Sequence, residues 1–136
     1  MIYIGSDHGG FSLKSQIIKK FSEYKMLDIG TYSDDSVDYP DIANKLCKLI
    51  KNDDDIGILI CGTGIGMSMA ANRFKHIRCG LCHNKITSEM TRKHNNANVL
   101  ALGARVITTE TAFEIVDFFF RTEFEGGRHL LRIKKL

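Results

Sequence analysis

The stretch "IGILICGTGIGMSMAANRF", from Ile56 to Phe74, contains the transition that decides the fold. Its first five residues are rich in isoleucine and have no polar side chain, which is typical of a parallel strand buried on both faces. Cys61 ends this run, and glycines follow at positions 62, 64 and 66. From there the sequence has helical spacing, and we predict a helix over 64–74. The stretch therefore predicts a strand, a glycine loop and a helix, with a thiol where the strand ends.

Short apolar runs alternate with stretches of helical period on both sides of this unit. We predict strands at Ile2–Gly5, Leu27–Gly30, Ile56–Ile60, Arg78–Cys82 and Val99–Leu102, and helices at Phe11–Tyr24, Pro40–Lys51, Gly64–Phe74, Lys85–His94, Glu110–Thr122 and about 128–135. Strict alternation predicts a parallel sheet covered by helices on both faces, because right-handed crossovers place them there. The expected fold class is therefore α/β: a Rossmann-like three-layer α/β/α sandwich, in a single domain over residues 1–136.

Composition and cysteine usage exclude several classes of protein. The chain is 43% hydrophobic and 26% charged, as ordinary globular proteins are, and no apolar run approaches the ~20 residues of a membrane span. The N-terminus begins directly as a strand, so we expect no signal peptide. Without a secretory context, the four cysteines are expected to be reduced thiols in a cytoplasmic protein. Cys79 and Cys82 lie within a predicted strand, on opposite faces, which disfavours a redox or zinc motif.

The excess positive charge is concentrated at the C-terminus. Residues 1–120 carry 14 basic and 14 acidic side chains, whereas the last 16 residues carry five basic and two acidic ones. Such a tail suits either a small anion or a nucleic acid. No aromatic platform lies among the basic residues, so we expect no nucleic-acid partner.

The glycine loop does not match the common nucleotide motifs. A dinucleotide fingerprint needs a third glycine where Met67 stands, and a P-loop needs a lysine directly after its last glycine. Closely spaced glycines before a helix nevertheless expose backbone N–H groups that can hold an anion or an oxyanion. A tight turn between strand and helix would need the same glycines. The glycines alone leave both interpretations open.

Ionisable residues follow the predicted strands, at the edge of the sheet where ligands of such folds bind. Cys61 is either a small buried hydrophobe or a thiolate stabilised by the adjacent N–H groups, able to act as a base or nucleophile. Asp7 either caps the following helix or contacts a ligand. His8 either faces solvent or contacts the same ligand. His94 ends a predicted helix, where a cation is favoured by the helix dipole alone.

Five stretches taken together resemble one family. They are "GSDHGGFSLK", "DYPDIA", "ICGTGIGMSMAANRF", "RKHNNANVLALGAR" and "FEGGRHLLRI", in that order over nearly the whole chain. They resemble the sugar-phosphate isomerases of the ribose-5-phosphate isomerase B and galactose-6-phosphate isomerase (LacAB) type. The resemblance implies interconversion of ribose 5-phosphate and ribulose 5-phosphate through an enediolate, in the pentose phosphate pathway, without metal or cofactor. Galactose-6-phosphate or allose-6-phosphate isomerisation, or sugar-phosphate binding without catalysis, are the alternatives.

The resemblance also implies roles for individual residues. Cys61 is expected to be the base that removes the C2 proton, and His94 the residue that opens the furanose ring. Thr63 and Asp7 are the other expected catalytic residues. Binding of the sugar and its phosphate is expected from Asp7, His8, Tyr39, Gly62, Thr63, Gly64, Ile65, Gly66, Asn95, Arg105, Arg128 and Arg132. The arginines suit a phosphate because the guanidinium group binds it in a bidentate manner.

The resemblance also bears on two positions that vary within the family and on the oligomeric state. Some family members lack the cysteine and place a glutamate where Met67 stands, so this chain resembles the cysteine type. Asn96 stands where many members have aspartate. In this family each active site is built across a dimer interface, with the partner contributing the residues that match His94 and Asn95. The resemblance therefore implies a homodimer with shared sites, and the run Phe118–Phe120 is expected to be core or subunit contact.

Overall fold

The computed structural model describes residues 1–136 and consists of a five-stranded parallel sheet with helices on both faces. The strands are β1 (Ile2–Ser6), β2 (Met26–Asp28), β3 (Ile56–Cys61), β4 (Cys79–Leu81) and β5 (Val99–Gly103). The helices are α1 (Phe11–Lys20), α2 (Tyr39–Leu49), α3 (Ile65–Ala71), α4 (Lys85–Lys93), α5 (Thr109–Arg121) and α6 (Arg128–Ile133). The predicted fold class is confirmed. None of these helices has the length and apolar character needed to cross a membrane.

The order of the strands creates one point at which the chain changes direction across the sheet. The order is β2-β1-β3-β5-β4, so the chain moves outward from β1 to β2 and then returns to the other side of β1 as β3. Parallel sheets bind ligands beyond the carboxyl ends of the strands at such a switch point. Ser6 of β1 is level with Ile60 of β3, so both strands end at the same height. Residues that directly follow β1 and β3 therefore meet in one place.

Side chains of the central strands alternate between two cores. Ile58 and Ile60 pack with α1 and α5 on one face of the sheet, whereas Leu59 and Cys61 pack with α2 and α3 on the other. Because both faces are covered, β3 has no polar position, which explains its continuous apolar sequence. Cys82 packs in the first core and Cys79 against the second, as predicted, and all four cysteines are free.

All six helices end one to four residues earlier than predicted, and α1 differs the most. The helix α1 stops at Lys20 because Phe21 leaves the helical backbone, with φ −108° and ψ 42°. Its ring then packs edge-on against Phe113 and Phe120, with centroid distances of 6.1 and 5.9 Å. The helix α6 ends at Ile133, two residues before the predicted end. Phe119 is completely buried in the same aromatic core, so the phenylalanine run is at least partly core.

Lys14 is a buried charge that the hydrophobic pattern did not predict. Its side chain is inaccessible to solvent, and its ammonium group donates to Asp28 Oδ1 at 2.6 Å and to the carbonyl oxygen of Thr31. The Tyr32 ring lies 5.2 Å from the same group. A buried ammonium is tolerated only where it is paired and hydrogen-bonded, as here. Lys14 therefore fastens α1 to the end of β2 and to the segment that follows it.

Replacing Lys14 with methionine should lower the free energy of unfolding by about 3 kcal/mol, the lower end for a broken buried ion pair. The loss arises because Asp28 and the Thr31 carbonyl lose their partner, and it is limited because Asp28 is partly exposed. Urea unfolding monitored by circular dichroism measures it. The matched control is Lys19→Met, an exposed lysine on the same helix. Equal stabilities of the two variants would contradict the structural role of Lys14.

Candidate active site

The thiol of Cys61 is held at the end of β3 by the loop that follows. Its sulfur accepts a hydrogen bond from the Gly64 amide at 3.1 Å, and the residue is only 5% exposed. Gly64 has a φ of +78°, and a Cβ there would lie 2.6 Å from Leu81 Cδ1. Only glycine fits this left-handed, crowded position, and this backbone directs the amide at the sulfur. A thiolate at this position is therefore stabilised by a backbone donor.

Further amides of the same loop are free to bind an anion. The N–H groups of Gly62, Thr63 and Gly66 have no hydrogen-bond partner within the chain. The Ile65 amide donates instead to the Thr63 hydroxyl at 3.2 Å. Unpaired backbone donors next to a thiol are the arrangement that an oxyanion formed beside that thiol requires. The loop is thus more than a tight turn.

Asp7 and Arg105 lie beside this loop, at the ends of β1 and β5. Asp7 Oδ1 accepts from the amides of Gly9 and Gly10 at 2.9 and 3.2 Å, so Asp7 does cap the short helical turn after β1. A Cβ on Gly9 would lie within 3.4 Å of Asp7 Oδ1, Arg105 Nη2 and the Gly62 amide nitrogen. The end of β1, the end of β3 and a guanidinium group therefore converge around Gly9. The absence of a side chain at Gly9 leaves room between them.

Two aromatic side chains border the same edge of the sheet. The Tyr39 ring lies against Gly66, where a Cβ would approach its Cε2 to 2.6 Å. His8 Nδ1 accepts a hydrogen bond from the Val37 amide at 3.3 Å. In neutral His8 this bond leaves Nε2 as the protonated nitrogen. The predicted site residues that follow β1 and β3, together with Tyr39 and Arg105, are thus neighbours.

The other three cysteines differ chemically from Cys61. Burial raises the pKa of Cys47 and of Cys82 to about 11 in each case, and it also raises the pKa of Cys79. These three groups are therefore protonated, unreactive thiols at neutral pH. Cys61 has the backbone donor at its sulfur and lies at the ligand-binding edge of the sheet.

The remaining predicted residues form a second group elsewhere in the chain. His94 follows α4, and its ring stacks on that of His129, with a centroid distance of 4.3 Å and an interplanar angle of 14°. Burial, the neighbouring His94 and Arg128 lower the pKa of His129, although Glu125 opposes this shift. His129 was not among the predicted site residues. Its position between Arg128 and Arg132 is the sequence signal that could have indicated it.

The residues around His94 present both arginines and an amide. Arg128 and Arg132 are one helical turn apart on α6 and are exposed, so both guanidinium groups can reach one anion. Asn95 lines a cavity of about 570 Å³ beside the end of α6. Asn96 has a φ of +45°, a conformation that asparagine tolerates better than most residues, and its side chain accepts from Arg92 at 3.4 Å.

The two groups lie at opposite ends of the strands: the Cys61 group at the carboxyl ends and the His94 group at the amino ends. The helix α4 begins beyond the carboxyl end of β4 and runs back, so that His94 lies near the start of β5, where Asn98 bonds Gly57 and Arg78. Cys61 lies at the far end of β3, which rises about 16 Å over its six residues. Within one chain, Cys61 and His94 therefore cannot contact the same small substrate.

Comparison with known proteins shows the family. A sequence model described as Ribose/Galactose Isomerase matches residues 2–136. A putative sugar phosphate isomerase of Rickettsia conorii is 49% identical over 138 residues, which cover 99% of this chain and 96% of that protein. Ribose 5-phosphate isomerase B of Thermotoga maritima has the same fold, with a TM-score of 0.95 and 49% identity, over 98% of this chain and 94% of that one.

A structure with a ligand is also similar. Ribose-5-phosphate isomerase B of Mycoplasma genitalium, solved with bound ribulose-5-phosphate, has a TM-score of 0.88 and 43% identity, and the match covers 98% of this chain and 91% of that one. The chain belongs to the ribose/galactose isomerase family.

Proposed function

We propose that the protein is an aldose–ketose isomerase that interconverts ribose 5-phosphate and ribulose 5-phosphate. The observation that carries the proposal is the position of the Cys61 thiol. Its sulfur accepts a hydrogen bond from the Gly64 amide, and it lies beside unpaired amides at the switch point of the sheet. Isomerisation needs a base next to an oxyanion site, and this loop supplies both. The family and the ribulose-5-phosphate complex of a relative support the substrate.

The chemistry proceeds through an enediolate. The Cys61 thiolate takes the proton from C2 of the open-chain aldose, and the electron pair moves toward the carbonyl oxygen at C1. The amides of Gly62, Thr63 and Gly66 stabilise the charge on that oxygen. The proton of the C2 hydroxyl then passes to the C1 oxygen, Cys61 returns its proton to C1 and the carbonyl forms at C2, so no atoms are gained or lost. The Thr63 hydroxyl and the second oxygen of Asp7 hold the sugar hydroxyl groups.

Ring opening uses the second group of residues, and ligand binding combines that group with side chains beside the thiol. His94 transfers a proton to the ring oxygen of the furanose as the C1–O bond to that oxygen breaks, and the C1 hydroxyl gives its proton to water, which releases the neutral open-chain aldehyde. Arg128 and Arg132 bind the phosphate dianion together with His8, and Asn95, Tyr39 and Arg105 contact the rest of the ligand.

A complete site then requires two chains. The carboxyl edge of one sheet supplies Cys61, Asp7 and the loop, and the opposite edge of a partner supplies His94 and the arginines. The separation of these groups within one chain supports a homodimer, the commonest symmetric assembly. Exposed apolar side chains on α3 and α6, which include Met69 at 66% and Leu131 at 66%, offer surface for the contact.

Replacing Arg132 with alanine should raise KM for ribose 5-phosphate about 10- to 150-fold, which corresponds to a lost charge-assisted contact of about 1.5–3 kcal/mol. Lys134→Ala, a change in the basic residue next on the same tail, is the control and should leave KM within a factor of about two. Steady-state kinetics at constant ionic strength measure both. Equal effects of the two changes would show that the tail acts only through its net charge.

A substrate panel tests the proposed reaction. Protein treated with EDTA is incubated with ribose 5-phosphate, allose 6-phosphate, galactose 6-phosphate and unphosphorylated ribose, and ketose formation is followed. We expect the highest kcat/KM for ribose 5-phosphate and a very low value for ribose. Turnover of a hexose phosphate alone would assign the chain to that reaction, and no turnover of any sugar phosphate would refute isomerase activity.

A further inference from the structure

Three potential metal ligands outside the thiol site lie close together. The ligand atoms of His94, Glu125 and His129 are all within 4.8 Å of one another. His129 Nε2 is 3.5 Å from Glu125 Oε2, and the two imidazole rings are stacked. Two imidazoles and a carboxylate form a donor set that zinc and its neighbours in the transition series bind, whereas Mg²⁺ prefers oxygen ligands alone.

The backbone fixes this cluster, which we call the histidine pair site. The Glu125 amide donates to the Lys93 carbonyl at 3.1 Å and so places Glu125 beside His94. His129 is only 6% exposed, and its amide donates to the Gly126 carbonyl at 3.1 Å. The Glu125 side chain is 49% exposed and can rotate. Tetrahedral zinc at about 2.0–2.1 Å needs ligand atoms roughly 3.3 Å apart. Because an imidazole binds a metal in the plane of its ring, the stacked rings must also open, so closing the site requires the partly exposed His94 ring to turn out of the stack.

We propose that the histidine pair site binds Zn²⁺ or a similar transition-metal dication, and that the bound metal inhibits the enzyme by occupying His94. The inhibition rests on the proposed role of His94 in ring opening, whereas the binding does not. Three protein ligands leave one coordination position for water. In the proposed mechanism the thiol and the loop amides supply the base and the oxyanion site, so the ion acts only as an inhibitor.

The surrounding charges define how this site competes with substrate. Arg128 and Arg132 lie on the same short helix as His129. These cations weaken the binding of a dication, and they attract the substrate phosphate to the same place. Substrate and metal are therefore expected to compete, so that added ribose 5-phosphate reduces the inhibition.

Metal binding is measured directly on EDTA-treated protein freed of chelator, by calorimetric titration with Zn²⁺ and by the visible absorption of bound Co²⁺. We expect one ion per chain. Glu125→Gln and His129→Gln should each reduce the affinity for the metal about tenfold or more, because each removes a ligand. Glu123→Gln, a neighbouring carboxylate outside the cluster, is the matched control. Glu125→Gln is an exposed isosteric change, so its folding is not in question. Cys61→Ala should bind the metal as the wild type does.

Inhibition is measured separately on ribose 5-phosphate turnover. Zn²⁺ should inhibit the wild type and the Glu123→Gln variant reversibly, EDTA should restore activity, and Mg²⁺ should have no effect. Glu125→Gln should be active and resist Zn²⁺. No bound ion, or equal affinity in Glu125→Gln and the control, would overturn the site, and binding without inhibition would overturn the inhibitory role. Absence of turnover in EDTA would instead refute the proposed function, because metal binding is scored without activity.

Discussion

Replacing Cys61 with alanine is expected to reduce kcat at least ~100-fold, the usual contribution of a positioned acid–base group. The reason is that the sulfur, held 3.1 Å from the Gly64 amide, is the proposed carrier of the proton between C2 and C1. Affinity for a phosphorylated inhibitor should change little, because the phosphate ligands are untouched. Steady-state kinetics and calorimetric titration with the inhibitor separate the two effects.

Chemical modification gives an independent measure of the same role. Iodoacetamide should inactivate the wild type, with Cys61 as the labelled residue, and ribose 5-phosphate should protect it. Cys79→Ala, which removes another partly accessible thiol, should keep wild-type kcat and the same sensitivity. Near-normal turnover of Cys61→Ala would refute the assignment and direct attention to Asp7 or Thr63 as the base.

The fold could be predicted from the sequence because its signals are local. An apolar strand such as Ile56–Ile60 and the glycines after it carry their structural meaning within a few residues. The left-handed Gly64 is one example, since a side chain at that position would collide with Leu81. Helix ends were predicted less well because Phe21 leaves α1 to join an aromatic cluster formed by distant residues.

Contacts between residues distant in the chain could not be predicted. From the sequence, Lys14 is expected on the polar face of an amphipathic helix. Its ammonium group is buried because it is hydrogen-bonded to Asp28 and to the Thr31 carbonyl, which are distant in the chain. The stacking of His94 on His129 joins the end of α4 to α6 and leaves no periodic signal. The separation of Cys61 from His94 by the length of the sheet has a simpler origin: a helix that starts after one parallel strand runs back along the sheet, so the end of α4 lies near the start of β5.

Complementation between inactive variants is the second large effect that we expect. Cys61→Ala and His94→Ala chains should each be nearly inactive as homodimers, because every site lacks one group. In a dimer with one chain of each kind, a shared-site arrangement gives one complete site and one that lacks both groups. Such a mixed dimer should recover about half the wild-type activity, given two independent sites related by two-fold symmetry.

The most direct test of the shared site is therefore a comparison of two purified mixed dimers. Two differently tagged chains are co-expressed, and dimers that carry both tags are isolated. Our account predicts about half of wild-type activity for Cys61→Ala paired with His94→Ala, and almost none for the wild type paired with the Cys61→Ala/His94→Ala double variant. The reverse result, an inactive first dimer and a half-active second one, would show that Cys61 and His94 act within one chain and would contradict the account.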